Sequence, residues 1–268
     1  MRRVLNHLVI DKRTGHVPDP ARAGESGRAG VVGRCGLFER LGRAGRVTVV
    51  SAPAGSGKTV LLRSWIGAAG LAGRAGWVRV QGQERDPQRF WLSVAGALRG
   101  TAGAAARVRP VTAAPDVDGW AIVGRLLEDL GRLPERVWLV IDDLHELRSA
   151  EALRQLELLV TRAPPELRFL LATRQDLRLG LHGLRLEGEL TEIRAADLGF
   201  TLDEARALLD AAGVRLPEWA LALLVERTEG WVAGLRLAAQ SLAGHPDPER
   251  VAAEFCGSER TVSEYLLA

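Results

Sequence analysis

Lysine is nearly missing from this 268-residue chain: only Lys12 and Lys58 occur, and arginine fills almost every other basic position. Cysteine is equally scarce. Cys35 and Cys256 lie far apart and neither sits in a metal-spaced cluster, so two reduced thiols in a reducing compartment are expected. No apolar run reaches the roughly 18 residues that span a bilayer, so no membrane partner is expected. The start carries Arg2, Arg3 and a few aliphatics, but Asp11 to Arg13 interrupt it and make it a poor signal peptide. The chain therefore reads as cytoplasmic. A contiguous basic block is absent too. The 33 acidic residues interleave with the 36 basic ones and leave a net charge of +3, which gives no support for nucleic-acid binding by these residues themselves. No internal repeat is found.

What is present is an ordinary globular composition, 47% hydrophobic, on a chain long enough for one α/β domain and a small helical one. Residues 1–30 read as a flexible lead-in, rich over 11–30 in Gly, Pro, Ala and Arg without apolar periodicity. Short apolar runs at Val47–Val50, Trp77–Val80, Val137–Ile141 and Phe169–Thr173 predict buried strands, with a weaker fifth at Leu190–Arg194. Helical spacing covers Thr59–Ala69, a segment opened by Asp86-Pro87 and carrying Phe90, Trp91, Val94 and Leu98, then Trp120–Leu130 and Ala150–Val160. Residues 100–117 are expected as a loop. This alternation predicts a five-stranded parallel sheet covered by helices on both faces, over 31–195. Strand signals then stop. Thr201 to Glu204 match a capping box that opens a helix to about Ala211, and Pro217–Arg227 and Gly230–Leu242 follow as helices, which defines an all-α domain over 196–245. His245 to Pro248 is a breaker. Residues 246–268 read as the start of a further, winged-helix-like domain, with a helix begun near Glu259 that looks cut through.

The chemistry starts at Ala52-Pro53-Ala54-Gly55-Ser56-Gly57-Lys58-Thr59. This is a P-loop with Ala in the first glycine position, between a buried strand and a helix. Gly55 and Gly57 let the backbone amides turn toward phosphate oxygens, and the helix that follows points its positive end at the same charge. Lys58 is expected on the β- and γ-phosphates and Thr59 on Mg²⁺. Lysine at this position in an arginine-dominated chain is informative, because a compact ammonium threads under a phosphate where a planar fork does not. The apolar strand Leu139-Val140-Ile141 ends at Asp142-Asp143, which resembles a Walker B element: Asp142 would hold Mg²⁺ and Asp143 would orient or activate the attacking water. His145 reads as a structural loop histidine, with a contact near the γ-phosphate as the alternative. P-loop folds with a strand inserted between the P-loop strand and the acidic strand have the order 5-1-4-3-2. In that order the strand end at Thr173-Arg174 faces the γ-phosphate, which makes Arg174 a candidate sensor.

Together these segments resemble the large ATP-binding regulators of the LuxR family, the MalT-like branch of the STAND P-loop ATPases. The matching stretches are Val31 to Arg34, Val50 to Thr59, Gly76 to Val78, Asp86-Pro87 with Phe90-Trp91, Val140 to His145, Leu171 to Arg174, Asp197 to Ala205, and Glu229 to Ala239. The resemblance implies a nucleotide-binding domain and a helical domain that clamp ATP or ADP with Mg²⁺. The implied contact set is Val32, Gly33 and Arg34 at the base and back side of the nucleotide, then Pro53, Ala54, Gly55, Ser56, Gly57, Lys58, Thr59 and Val60, and Arg174 as sensor. Catalysis would fall to Asp143, Arg174 and Lys58. Gly234 to Ala238 match a segment that touches the ADP phosphate in many relatives through a proline, where this chain has Arg236. The resemblance also implies slow ATP hydrolysis as a reset, self-association in the ATP state, and transcriptional regulation through a C-terminal helix-turn-helix that these residues do not contain.

Three other readings stay open. A small-molecule kinase needs an arginine-bearing lid between the acidic strand and the last strand, and the stretch from Asp143 to Phe169 is short and filled by one helix. A ring-forming AAA-type motor needs an arginine finger and a pore loop, neither of which can be assigned. A binding-only module without turnover is the third.

Overall fold

The computed structural model describes residues 32–82, 86–111, 118–177 and 179–255. The expected lead-in, Val31, Cys256 and the helix near Glu259 lie outside the described residues. The element order is α1 (Cys35–Gly42), β1 (Val47–Ser51), α2 (Lys58–Ala68), β2 (Ala75–Arg79), α3 (Pro87–Arg99), α4 (Gly119–Leu130), β3 (Val137–Asp142), α5 (Ala150–Arg162), β4 (Leu167–Thr173), α6 (His182–Leu186), β5 (Leu190–Arg194), α7 (Ala195–Leu198), α8 (Leu202–Ala211), α9 (Glu218–Thr228), α10 (Val232–Leu242) and α11 (Pro248–Glu254).

The five strands form one parallel sheet in the order β2-β3-β4-β1-β5, which is the expected 5-1-4-3-2 read from the other edge. Strand residues alternate between the two faces, so one-residue steps divide them between two cores. Val47, Val49, Leu139, Ile141, Phe169 and Leu171 point to a core filled by α3, α4 and α5. Val50, Val140, Leu170 and Ala172 point to the opposite core, closed by α1 and α2 through Leu37, Leu41, Leu61, Leu62 and Trp65. Both faces being covered explains why these strands are apolar runs rather than alternating ones.

Helices α3, α4 and α5 each start on a side-chain cap: Asp86, Asp118 and Ser149 accept from Gln88, Ala121 and Ala152. Helix α8 carries the complete capping box between Thr201 and Glu204. The expected loop over 100–117 is turn-rich through 108 and is pinned by buried Ala104 and Val108. Helix α1 has no counterpart in the sequence pattern: only Leu37 and Leu41 are buried in it, and Gly36 and Gly42 weaken its intrinsic propensity.

After Leu198 no strand occurs among the described residues. Helices α8 to α11 build a third core from residues such as Leu208, Leu221, Leu224, Leu235 and Leu242. Helix α11 lies past the boundary expected at 245, yet Ala252 is fully buried in this same core.

Candidate functional site

Parallel strands bring their carboxyl ends to one edge of the sheet, and here three of those ends converge. Ser51 of β1 pairs with Thr173 of β4, and Ile141 of β3 pairs with Leu171 of β4. The loop after β1, the acids after β3 and Arg174 after β4 are therefore neighbours, as ligand sites at such sheet edges require.

The loop from Ala52 to Gly57 turns through Gly55 (φ 73°) and Gly57 (φ 80°), a backbone conformation costly for other residues. Lys58 opens α2 and folds back along the loop. Its Nζ donates to the carbonyls of Ala52 at 2.6 Å and Pro53 at 2.8 Å, and Ser56 Oγ also donates to Pro53 O at 3.0 Å. The lysine is only 7% exposed. Burial first, and the positive charge of Arg174 second, push its pKa below the usual lysine range, while Asp143 and Asp142 pull the other way.

Thr59 Oγ1 donates to Asp142 Oδ2 at 2.8 Å, and Asp142 Oδ1 accepts the Asp143 amide at 3.0 Å. Asp142 is 1% exposed. A hydroxyl and a carboxylate facing each other are hard oxygen donors, and two protein ligands plus phosphate oxygens suit Mg²⁺, which keeps much of its own hydration. Among the described residues no group of three or more His, Cys, Asp or Glu side chains is placed to hold a metal. Asp143 adopts a left-handed backbone (φ 55°), tolerable for aspartate but uncommon, and its carboxylate accepts from Arg79 Nε at 2.9 Å. His145 follows on a 3-10 turn with its side chain 6% exposed. Neither ring nitrogen has a hydrogen-bond partner among the described residues, although Glu146 Oε1 lies 3.3 Å from Nε2 in unsuitable geometry. Burial, then Arg174, holds its pKa below the ordinary histidine value.

Arg34 joins the two parts of the molecule. Its Nε donates to Glu204 Oε1 at 3.0 Å, Nη1 to Leu198 O at 2.8 Å and Nη2 to Gly199 O at 3.1 Å, with the guanidinium 4.9 Å from the Phe200 ring centroid. These partners anchor the start of the helical part beside the P-loop. Two further bonds cross the same gap: Trp231 Nε1 donates to Ala54 O at 3.0 Å, and Ala233 N donates to Gly55 O at 3.1 Å.

Between the two parts lies a cavity of ≈ 370 Å³. Five basic side chains line it (Arg34, Lys58, Arg79, Arg174 and Arg236) against one carboxylate among the described residues, Asp143. An apolar wall comes from Val32, Phe38, Leu61, Phe200 and Leu208. Ala54, Gly55, Gly57, Thr59 and Val60 complete it on the loop side. A cationic end for phosphates and an apolar end for a flat base is the chemistry of a nucleotide pocket. Of the residues expected from sequence, Gly33, Pro53, Ser56 and Asp142 do not line this cavity; Pro53 and Asp142 instead hold Lys58 and Thr59. His145 does not line it either.

Sequence reasoning missed Arg79, Phe200 and Leu208, whereas Arg236, which the resemblance set at the phosphate-touching position in place of a proline, does line the cavity. Arg79 had a readable signal, since it ends β2 at the level of Asp142 on β3. The others depend on how the helical part docks, which no local pattern encodes.

Residues 42–180, just over half of the chain, match the family profile described as AAA domain. Among curated proteins the chain is 30% identical over 238 residues to the serine/threonine-protein kinase PknK of Mycobacterium tuberculosis, covering 85% of this chain and 21% of that protein. It is 26% identical over 227 residues to the HTH-type transcriptional regulator MalT of Yersinia enterocolitica, covering 83% of this chain and 25% of that protein. The chain thus spans about a fifth to a quarter of the length of these relatives. Among solved structures, the Aeropyrum pernix ORC1 protein in complex with DNA superposes with a TM-score of 0.50 at 19% identity, over 84% of this chain and 65% of that one, which supports the fold alone.

Proposed function

The chain belongs to the AAA domain family, and from that premise we propose that it is the ATP/ADP-binding switch module of a signal-transduction ATPase related to MalT. The observation that carries this reading is the cavity shared by the P-loop, Asp143, Arg174 and the helical part, with cationic and apolar ends. A ligand bound there touches both parts at once, so it can bias how they sit against each other. For ATP and ADP to set different states, the module must bind them with different affinity in those states.

In this reading the apolar wall takes the adenine, and the loop amides with Lys58 take the phosphates. Thr59 and Asp142 would hold Mg²⁺, which supplies charge neutralisation on the phosphates. Asp143 orients the attacking water and accepts its proton as the γ-phosphoryl group transfers. Arg174 contacts the third phosphate and registers its loss. ADP keeps the resting state, exchange for ATP permits self-association, and slow hydrolysis resets the module. In a longer parent protein this switch would govern transcription through a DNA-binding part outside these residues. The likeness to MalT along most of the chain supports that extension. The kinase reading is disfavoured, because between β3 and β4 only α5 and a short turn intervene and leave no room for an acceptor lid.

The test is nucleotide binding with and without Mg²⁺, followed by single-turnover hydrolysis. Micromolar or tighter binding of ATP and ADP that Lys58→Ala weakens by about tenfold or more is expected. Hydrolysis slowed by Asp143→Asn with unchanged affinity supports the switch. Unchanged affinity in Lys58→Ala overturns the pocket assignment, and turnover untouched in Asp143→Asn overturns the catalytic role.

A further inference from the structure

Four successive carbonyls of the P-loop each accept a hydrogen bond, and the donors come from two different parts of the molecule. Lys58 Nζ holds the carbonyls of Ala52 and Pro53 from within the loop. The carbonyl of Ala54 is held by Trp231 Nε1 at 3.0 Å, and that of Gly55 by the amide of Ala233 at 3.1 Å. A trans peptide is planar, so fixing a carbonyl fixes the direction of the next residue's N–H. The Lys58 bonds thereby fix the Ala54 amide, and the bonds from the helical part fix the amides of Gly55 and Ser56. These are backbone donors of the phosphate-cradling turn.

The packing around these two bonds excludes side chains. A Cβ on Gly55 would fall 2.6 Å from Ala233 Cβ and 2.9 Å from Trp231 Cζ2. At another edge of the indole, a Cβ on Gly234 would fall 2.8 Å from Trp231 Cε3. The ring is therefore held between a P-loop glycine and a glycine of α10. The turn that presents it is fixed as well: Glu229 (φ 50°) and Gly230 (φ 67°) are both left-handed, and Gly230 O accepts from Phe200 N at 2.8 Å.

We propose that Trp231 and the Ala233 amide are positioning groups of the phosphate cradle, so that the helical part completes the P-loop rather than only covering it. This rests on the nucleotide reading of the cavity and specifies how that site is regulated. Any movement of α10 releases the Ala54 and Gly55 carbonyls, frees two peptide planes of the cradle and weakens its hold on phosphate. Conversely, a phosphate that orders the Gly55 and Ser56 amides stiffens the acceptors that α10 grips. The coupling is reciprocal, as linkage demands.

The experiment uses hydrogen–deuterium exchange on the chain with and without MgADP, together with Trp231→Phe, which keeps an aromatic ring and deletes the Nε1–H donor. Two results are expected together. MgADP slows exchange at the Ala233 amide on α10 as well as at the loop amides. Trp231→Phe speeds exchange at Gly55 to Gly57, leaves the α8–α9 core amides unchanged, and raises the dissociation constant for MgADP about fivefold, the worth of one net hydrogen bond. A merely structural role for Trp231 would loosen the helical core and spare the loop. Failure of either result overturns the proposal. If MgADP binds and protects only the loop, the nucleotide reading survives and the cradle-completion idea does not. If the wild-type chain binds no nucleotide, both fall.

Discussion

Thr59 Oγ1 and Asp142 Oδ2 are 83 positions apart in sequence and 2.8 Å apart in the fold. One stands on the second residue of α2 and the other on the last residue of β3. Their approach follows from the strand order: β4 sits between β1 and β3, so the helix that leaves β1 starts at the same sheet edge where β3 ends.

Removing either oxygen should therefore alter how nucleotide binding depends on the metal. Thr59→Ala is expected to leave ADP binding in EDTA within about twofold of wild type and to abolish most of the gain that Mg²⁺ provides. Asp142→Asn keeps a hydrogen-bond partner for Thr59 and removes the charge, so it should reduce that gain about tenfold. Titration calorimetry in the two buffers reads both numbers. Equal loss in EDTA and in Mg²⁺ would assign these residues to structure alone.

The sheet and the phosphate loop were legible because each rests on local pattern. The run Val47 to Val50, the glycines at 55 and 57 and the acids after Ile141 carry their own signals, and strand order followed from the insertion of β4. Even the weak strand at Leu190–Arg194 falls where β5 lies. What stayed hidden depends on docking. The resemblance named Arg34 as a nucleotide contact, but nothing local in the sequence shows that its guanidinium reaches three carbonyls and a carboxylate over 160 positions away. Phe200 and Leu208 form part of the cavity wall only because that contact brings α8 to the P-loop. Helix α1 was invisible because two leucines among glycines make no helical signature without a sheet to lie on.

Arg34 should be a stability hinge between the two parts. Its side chain is 10% exposed and that of Glu204 is 19% exposed, so the pair is largely withdrawn from water. Arg34→Ala leaves a carboxylate and several carbonyls without their partner and is expected to destabilise by about 3 kcal/mol. Glu204→Gln keeps one acceptor oxygen, which can serve Arg34 Nε or the Thr201 amide but not both, and removes the charge, so it should cost about 2 kcal/mol. Chemical denaturation of the two single variants and the double variant gives the coupling. A loss below about 0.5 kcal/mol for Arg34→Ala, the range of an exposed ion pair, would remove Arg34 from this role.

His145 gives the molecule a pH-dependent term. Its folded pKa is depressed below the ordinary 6.5, by burial first and by Arg174 second. The unfolded chain then takes up the proton before the folded chain does. The stabilisation from keeping His145 neutral is complete above 6.5 and declines as pH falls below that value toward the folded pKa. His145→Met, of similar bulk and without a titratable ring, should lose less stability than wild type between about pH 7 and about pH 5. Parallel melting curves across that range check it. Identical pH slopes in the two proteins would show that other groups carry the acid sensitivity.

Arg174 and Arg236 face the same cavity from different parts of the molecule, one after β4 and one on α10. Among the described residues Asp143 is the only carboxylate in the lining, and it already accepts from Arg79. Both guanidiniums are thus available to an anion. Arg174 follows the strand end beside the P-loop, so it should meet the terminal phosphate of ATP. Arg174→Ala is expected to weaken ATP about tenfold, one charge-assisted hydrogen bond, and to leave ADP within about twofold. Arg236 belongs to the helical part and should act on the closure that any bound nucleotide shares. Arg236→Ala should therefore weaken ATP and ADP by similar factors. Competition binding of the two nucleotides to each variant separates the roles. Equal losses of ATP and ADP in Arg174→Ala would make it a general phosphate anchor. A loss of ATP alone in Arg236→Ala would move the sensing of the third phosphate onto α10.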